Sequence, residues 1–224
     1  MPNLPHDPTE RFGDRVDDYF KYRPRYPEEL VDLAVDAQLL EPGGVVADVG
    51  SGTGFVAERF LERGYAVYCI EPNAEMRASA EAFLGGTGGF VSVDGTAEAT
   101  GLADDSIDFV VVGQAFHWFD ATRARAEFVR ILRPHRGCML VWNARSSDHD
   151  QFALDYEALI IRYNTDYLDV RHRGITSERT EDLTAFFGAG GMTRTHVGVV
   201  VQRFDFPGLR GRLFSSSYMP NHTD

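Results

Sequence analysis

Three glycines and two carboxylates define the chemistry this chain is equipped for. In Val45-Val46-Ala47-Asp48-Val49-Gly50-Ser51-Gly52-Thr53-Gly54 a strand-like apolar run ends in a glycine turn, a helical stretch follows, and Glu71 closes a second apolar run. Glycine is needed where a side chain would block the approach of a ligand or force a disallowed backbone angle. A carboxylate about 20 residues beyond such a turn is placed to take the two hydroxyls of a ribose in a strand-helix-strand unit. The pattern therefore reads as a site for a nucleoside-containing cofactor. Its spacing is G-x-G-x-G (Gly50, Gly52, Gly54), with Phe55 standing where the third glycine of a dinucleotide fingerprint falls, and Asp48 two residues before the first glycine.

The elements that must position these residues follow from the patterning. Apolar runs at 45–49, 65–70, 90–93, 107–112, 139–142 and 197–204 predict six strands, and the helical spacing between most of them predicts a parallel sheet covered on both faces. Phe55, Val56, Phe60 and Leu61 share one face of a helix that Arg63-Gly64 closes; 74–84 is a second helix, and 120–132 a third, with Asp120 as N-cap and Arg133-Pro134 as its stop. Two segments lie outside this alternation. Residues 1–44 hold Phe12, Tyr19, Phe20, Tyr22 and Tyr26 around Tyr22-Arg23-Pro24-Arg25-Tyr26-Pro27, then an amphipathic helix at 28–40; a second segment at 145–194 contains a helix at 152–163. These two are the expected lid. The chain reads as one domain, with a helical lid at 1–44, a cofactor-binding core at 45–144, a helical substrate-side insertion at 145–195 and a last strand and tail at 196–224.

Composition narrows the partners. A net charge of −12 argues against nucleic acid, whose phosphates call for a basic surface, and favours a small molecule. Cys69 and Cys138 are too few for a disulfide framework and sit in apolar runs, where they read as buried small hydrophobes. No apolar run approaches the ~18 residues of a membrane span, and no signal sequence is visible, so a cytoplasmic protein is expected.

The glycine turn with Asp48 resembles motif I of the class I S-adenosylmethionine (SAM) dependent methyltransferases, and Glu71-Pro72-Asn73 resembles their ribose-binding motif. The resemblance implies an α/β, Rossmann-like sheet with helices on both faces and an N-terminal helical lid. It also implies SAM as cofactor, S-adenosylhomocysteine as its product, and no metal. It assigns Asp48 to steadying the turn and the amino-acid end of SAM, the backbone of Gly50, Ser51, Gly52, Thr53 and Gly54 to close contact with the methionyl part, and Glu71 to the ribose. Met76 resembles the apolar residue that packs on adenine, although its spacing equally suits plain core packing. Gly95-Thr96-Ala97-Glu98 resembles the adenine-edge loop, with Thr96 where an Asp is usual, and Glu98 reads more readily as an anchor of that loop than as a ligand. Gln114 and Ala115 are expected at the SAM amino-acid end, and His117, Trp118 and Phe119 near the transferable methyl. Gln114-Ala115-Phe116-His117-Trp118-Phe119, with the element from Tyr19 to Pro27, is similar to a small-molecule group that includes trans-aconitate methyltransferase-like proteins and is known as methyltransferase type 11. The family sheet has seven strands, so the final one is missing from a chain with six.

A sulfonium methyl is already activated, and its transfer needs mainly alignment and exclusion of water. A carboxylate acceptor attacks as it stands and needs cations to hold it, for which Arg23, Arg25, Arg125 and Arg145 are candidates. A hydroxyl, phenol or protonated amine needs a base, and His117 is the candidate because an ordinary histidine titrates near neutrality. Tyr19, Tyr22, Tyr26, Trp118 and Phe119 would line the acceptor side or simply pack the lid onto the core. The sequence thus predicts methyl transfer to an O or N atom of a small molecule, by a monomer or homodimer. The alternatives are a SAM-binding partner protein without turnover and a nicotinamide-dependent oxidoreductase.

Overall fold

Runs of β-branched residues without polar alternation are buried only in a sheet covered on both sides, and such a sheet forms the centre of this chain. The computed structural model describes residues 20–145, 150–164, 167, 183, 186–188, 191, 194–216 and 219. Five parallel strands, β1 (Val45–Val49), β2 (Ala66–Ile70), β3 (Phe90–Val93), β4 (Ile107–Gly113) and β5 (Leu132–Val141), lie in the order β3-β2-β1-β4-β5. The chain moves outward from β1 through β2 to β3, then returns to place β4 on the other side of β1. That reversal opens a crevice beyond the carboxyl ends of β1 and β4, where ligands bind in open α/β sheets.

Successive residues of each central strand feed opposite cores. Val46, Phe109 and Val111 pack with Leu30 and Val31 of α1 (Glu29–Asp36), Val56 and Phe60 of α2 (Phe55–Glu62) and Leu84 of α3 (Ala74–Leu84). Ala47, Val49, Val110 and Val112 face the other way, onto Ala124, Phe128 and Ile131 of α4 (Ala121–Ile131). Phe60, Phe109, Ile70 and Ile131 are wholly buried, and each such side chain stabilises the fold by about 1.5–3 kcal/mol relative to exposure. Local capping agrees with the sequence: Asn73 Oδ1 accepts from the Met76 amide at the start of α3, and Asp120 Oδ1 accepts from the Thr122 and Arg123 amides at the start of α4. Among the described residues, the helices α5 (Gln151–Tyr163) and α6 (Phe206–Phe214) follow the sheet.

Three expectations differ from the structure. The helix predicted at 28–40 ends at Asp36, because Gln38 adopts a left-handed backbone (φ 59°) and turns Leu40 back into the core. The fifth strand begins at Leu132, directly after α4, rather than at 139. The strand predicted at 197–204 does not form: among the described residues the segment has no ladder partner, and Val197 and Val199 are 87% and 89% exposed. Strand propensity acts through cross-strand and same-face packing, and an apolar run without such neighbours does not become a strand. Residues 1–19 of the expected lid, Tyr19 included, lie outside the described residues. The described part of that segment is docked on the core: Phe20 packs against Phe83 at 4.9 Å, and the Arg25 guanidinium sits 3.8 Å from the Phe55 ring centre and bonds Glu58 at 3.3 Å.

Glu127 ties the loop after β3 to α4. Thr100 donates to Glu127 Oε1 through its amide (2.8 Å) and its hydroxyl (2.6 Å), and Arg130 donates to both oxygens of Glu127. The Arg130 bonds, joined by those from Thr100 and opposed by partial burial, hold Glu127 down at about 2. A depressed carboxyl stabilises the fold above its ordinary 4.5 and loses that contribution as pH falls through about 2. Glu127→Gln is therefore expected to lower the melting temperature at neutral pH, with the deficit shrinking as pH falls through that window; each ~1 kcal/mol corresponds to about 2–4 °C in a chain of this size. A pH-independent deficit in thermal melts would contradict the assignment.

Candidate active site

The glycine turn is held from two directions. Gly50 and Ser51 donate to the Ile70 carbonyl at 2.8 and 3.1 Å, fixing the turn to the end of β2. Gly50 has φ +70°, and a Cβ there would come 2.5 Å from the Cβ of Ala115 and 3.3 Å from the Phe119 ring, so residues after β4 press directly on the turn. Gly52 (φ +54°) faces open space on its Cβ side. Its amide donates to Glu71 Oε2 at 2.9 Å, while Glu71 Oε1 accepts from the Asn73 amide at 2.9 Å. One carboxylate thus joins the glycine turn to the start of α3. Burial raises Glu71 above the usual carboxylate range, against the pull of those two amides and of Arg77.

Asp48 works from below the turn. It is fully buried, and its Oδ2 accepts from the Ala57 amide at 3.1 Å, satisfying a first-turn donor of α2 that the N-cap Gly54 has no side chain to reach. Burial, reinforced by the charge of Glu71 and opposed by the Ala57 amide, pushes Asp48 up to about 7. Asp48 Oδ1 and Thr53 Oγ1 are buried atoms with no hydrogen-bond partner among the described residues. Both residues line a cleft at the carboxyl ends of β1 and β4. Buried polar groups are paired in the great majority of cases, so two such atoms at one cleft fit a ligand that brings its own polar groups.

The cleft wall gathers Asp48, Gly50, Ser51, Gly52, Thr53 and Gln114 from the sequence-predicted cofactor set, and Arg23 and Tyr26 from the predicted acceptor set. Gln114 holds a left-handed backbone (φ 59°) and donates through Nε2 to the Asn143 carbonyl at 3.0 Å, which pins the crevice between β4 and β5. Gly54 and Ala115 stand behind this wall. Pro72, Asn73 and Met76 follow β2, where Asn73 caps α3 and Met76 is buried. Thr96 forms a two-bond bridge with Ala99, Ala97 is buried, and Glu98 Oε1 accepts from the Asp120 amide at 2.9 Å.

The structure does not bring His117, Trp118 and Phe119 to the cleft wall. They lie on and after a short 3₁₀ turn (Phe116–Trp118) that Phe116 anchors against Phe119, Trp142 and Phe186; His117 packs on Trp118 with ring centres 4.7 Å apart, and Phe119 backs the glycine turn. Tyr22 packs on α6 instead of facing the cleft. Among the candidate cations, Arg25 is committed to three aromatic rings and Glu58, and Arg145 bonds Glu157 and the Tyr167 hydroxyl. Arg23 reaches the cleft. Sequence reasoning missed Asn143 and Arg212. Asn143 follows a parallel strand and was findable from that position; Arg212 lies on α6, far along the chain, with no local signal.

Asp48 carries a sign that can be measured. A carboxyl whose folded value is raised stabilises the fold while protonated, and that contribution is lost as pH rises from the ordinary 3.8 through about 7. The ligand-free protein is expected to lose stability over this window, and Asp48→Asn to flatten the slope. Melting temperatures measured at intervals across the range check this; an identical slope in the variant would refute it.

Against known proteins, residues 47–140 match the model of a family described as a methyltransferase domain. An uncharacterised methyltransferase of Mycobacterium tuberculosis is 41% identical over 139 residues, covering 62% of this chain and 54% of the relative. The chain spans about half the length of the curated relatives it matches. Among solved structures, a putative SAM-dependent methyltransferase of Methanococcus maripaludis superposes with a TM-score of 0.63 over 83% of this chain and 86% of the other at 18% identity, a likeness of fold. A putative methyltransferase from an antibiotic biosynthesis pathway of Anabaena variabilis gives a TM-score of 0.51 at 27% identity, over 72% of this chain and 62% of that one. The glycine turn, the two carboxylates and the polar cleft fit a nucleoside-containing ligand.

Proposed function

We propose that this chain, whose residues 47–140 match a methyltransferase-domain model, is a class I SAM-dependent methyltransferase that transfers a methyl group to an O or N atom of a small molecule. The observation that carries the reading is the turn from Gly50 to Gly54, clamped by Glu71 and opening into a cleft lined by Asp48 and Thr53. Glu71 holds the ribose, with Pro72 and Asn73 beside it. Asp48, Thr53 and the Gly50, Ser51, Gly52, Gly54, Gln114 and Ala115 backbone hold the amino-acid end, and Met76 with Thr96, Ala97 and Glu98 borders the adenine. The bound cofactor supplies a methyl on a sulfonium, which departs as a neutral thioether. The protein's part is to orient the acceptor and exclude water: Tyr26, Phe55 and Val56 form the apolar side of the cleft, and Arg23 supplies a cation. The Anabaena variabilis protein's antibiotic pathway supports a small-molecule acceptor. His117, packed on Trp118 outside the cleft wall, favours chemistry without a base at that position, as a carboxylate acceptor allows.

Calorimetry is expected to show S-adenosylhomocysteine binding far more tightly than NAD; stronger binding of NAD would overturn the cofactor reading. Glu71→Ala is expected to cost about 2–4 kcal/mol of that binding through lost charge-assisted hydrogen bonds. An unchanged dissociation constant would remove Glu71 from the site. Incubation with methyl-labelled SAM and a panel of small acids, phenols and amines tests turnover, and failure to label any of them while the cofactor binds would point to a binder without turnover. With an accepted substrate, His117→Ala is expected to change turnover by less than about 10-fold; a loss of about 10²-fold or more would establish it as a general base.

A further inference from the structure

We propose that Arg77 is a positioning residue for the cofactor: from α3 it pins the backbone that carries Glu71, so that the Glu71 carboxylate stands ready for a ribose. The role rests on the reading above that Glu71 holds the ribose, and adds a residue outside the glycine turn and outside the cleft wall. Glu71 and Pro72 lie past the last paired residues of β2. Arg77 Nη1 donates to both of their carbonyls, to that of Glu71 at 2.8 Å and to that of Pro72 at 2.8 Å. Two successive peptide oxygens turned to one side repel each other, and a cationic nitrogen between them offsets that repulsion. Nη2 of the same guanidinium lies 3.1 Å from Asp94 Oδ2, directly ahead of Gly95 and Thr96. One side chain thus joins the ends of β2 and β3, the strand ends from which the proposed ribose and adenine contacts come.

The carboxylate gains both a place and a charge. Its Oε1 and Oε2 each accept one backbone amide, from Asn73 and from Gly52, which leaves each oxygen a second lone pair for a ribose hydroxyl. That use needs the ionised form, because a protonated carboxyl gives up acceptor capacity. Burial raises Glu71, while the Asn73 and Gly52 amides and the Arg77 charge pull it back. The Arg77 side chain is 18% exposed, whereas that of Asp94 is 73% exposed. An ion pair with so exposed a partner contributes little, so the two carbonyl bonds carry the positioning. Arginine suits the task because its planar fork presents nitrogens in fixed directions, where lysine offers one on a flexible stem.

The test uses the full chain with adenosine, 2′-deoxyadenosine and S-adenosylhomocysteine as probes, read by ligand-observed NMR or calorimetry. The unsubstituted protein is expected to prefer adenosine over 2′-deoxyadenosine by about 10-fold, the scale of one charge-assisted hydrogen bond. Arg77→Gln is expected to bring that preference within about threefold and to weaken S-adenosylhomocysteine by about 10-fold. Arg77→Lys should recover part of the preference, and Asp94→Asn should leave both readings within about twofold. A general loss of stability weakens both nucleosides alike and leaves their ratio unchanged, so the ratio separates positioning from scaffolding. A ratio kept intact in folded Arg77→Gln overturns the proposal, and a collapse in Asp94→Asn would move the effect from the carbonyls to the ion pair and overturn it too. If Arg77→Gln does not fold, Arg77→Met carries the same measurement, and failure of both to fold would make Arg77 a scaffold residue and end its positioning role. Equal binding of the two nucleosides by the unsubstituted protein would instead strike the ribose reading of Glu71, and no binding of any probe the cofactor reading itself.

Discussion

Two carboxylates on backbone amides hold this site together. Glu71 takes the amide of Gly52 with one oxygen and that of Asn73 with the other, and Asp48 takes the amide of Ala57 from beneath. Glycine turns gain their fit to a ligand by giving up side chains, and with them the packing that would fix their shape. Here the shape is restored by acceptors that reach in from β1 and from the end of β2. The cost is desolvation of both acids, visible in their raised titration ranges. A structural carboxylate on the surface would carry no such burden; Asp48 carries it on the wall of a cleft, and Glu71 on the amide of the turn that borders it.

The sheet order decides where that mouth lies. Because β4 returns beside β1 rather than beyond β3, the turn after β1 and the residues after β4 become neighbours, and Ala115 and Phe119 press on Gly50. This leaves a division of labour along the top of the sheet. The ends of β1, β2 and β3 present the glycine turn, Glu71 and the bridged loop at Thr96; the ends of β4 and β5 present Gln114 and Asn143, where the segment before α1 and α6 close in.

Charge is distributed to match. Arg25 is sandwiched among Phe20, Phe55 and Phe83 with Glu58 at its end, an arrangement in which cation and rings stabilise the docking of the N-terminal segment. Its neighbour Arg23, two residues earlier, points the other way into the cleft. The Tyr22-Arg23-Pro24-Arg25-Tyr26 stretch is thus a hinge between core packing and the site: Tyr26 is buried against Gly113, and Tyr22 meets α6.

The sequence by itself determined the parallel sheet through β4, helices α2 to α4, the caps at Asn73 and Asp120, and the glycine turn with Glu71, because each is a local pattern: apolar periodicity, a cap residue beside its helix, a fixed spacing after a strand. The resemblance to motif I pointed to Asp48 and Thr53, and the carboxyl end of a countable strand pointed to Gln114; all three line the cleft. What only the tertiary structure decided depends on contacts between distant residues. The run at 197–204 has strand composition yet joins no ladder among the described residues; His117 has the chemistry of a base yet is turned onto Trp118; Arg212 has no local mark and reaches the cleft because Gly211 admits the ring of Tyr22. Side-chain direction and long-range docking are set by packing, which no single stretch of sequence contains.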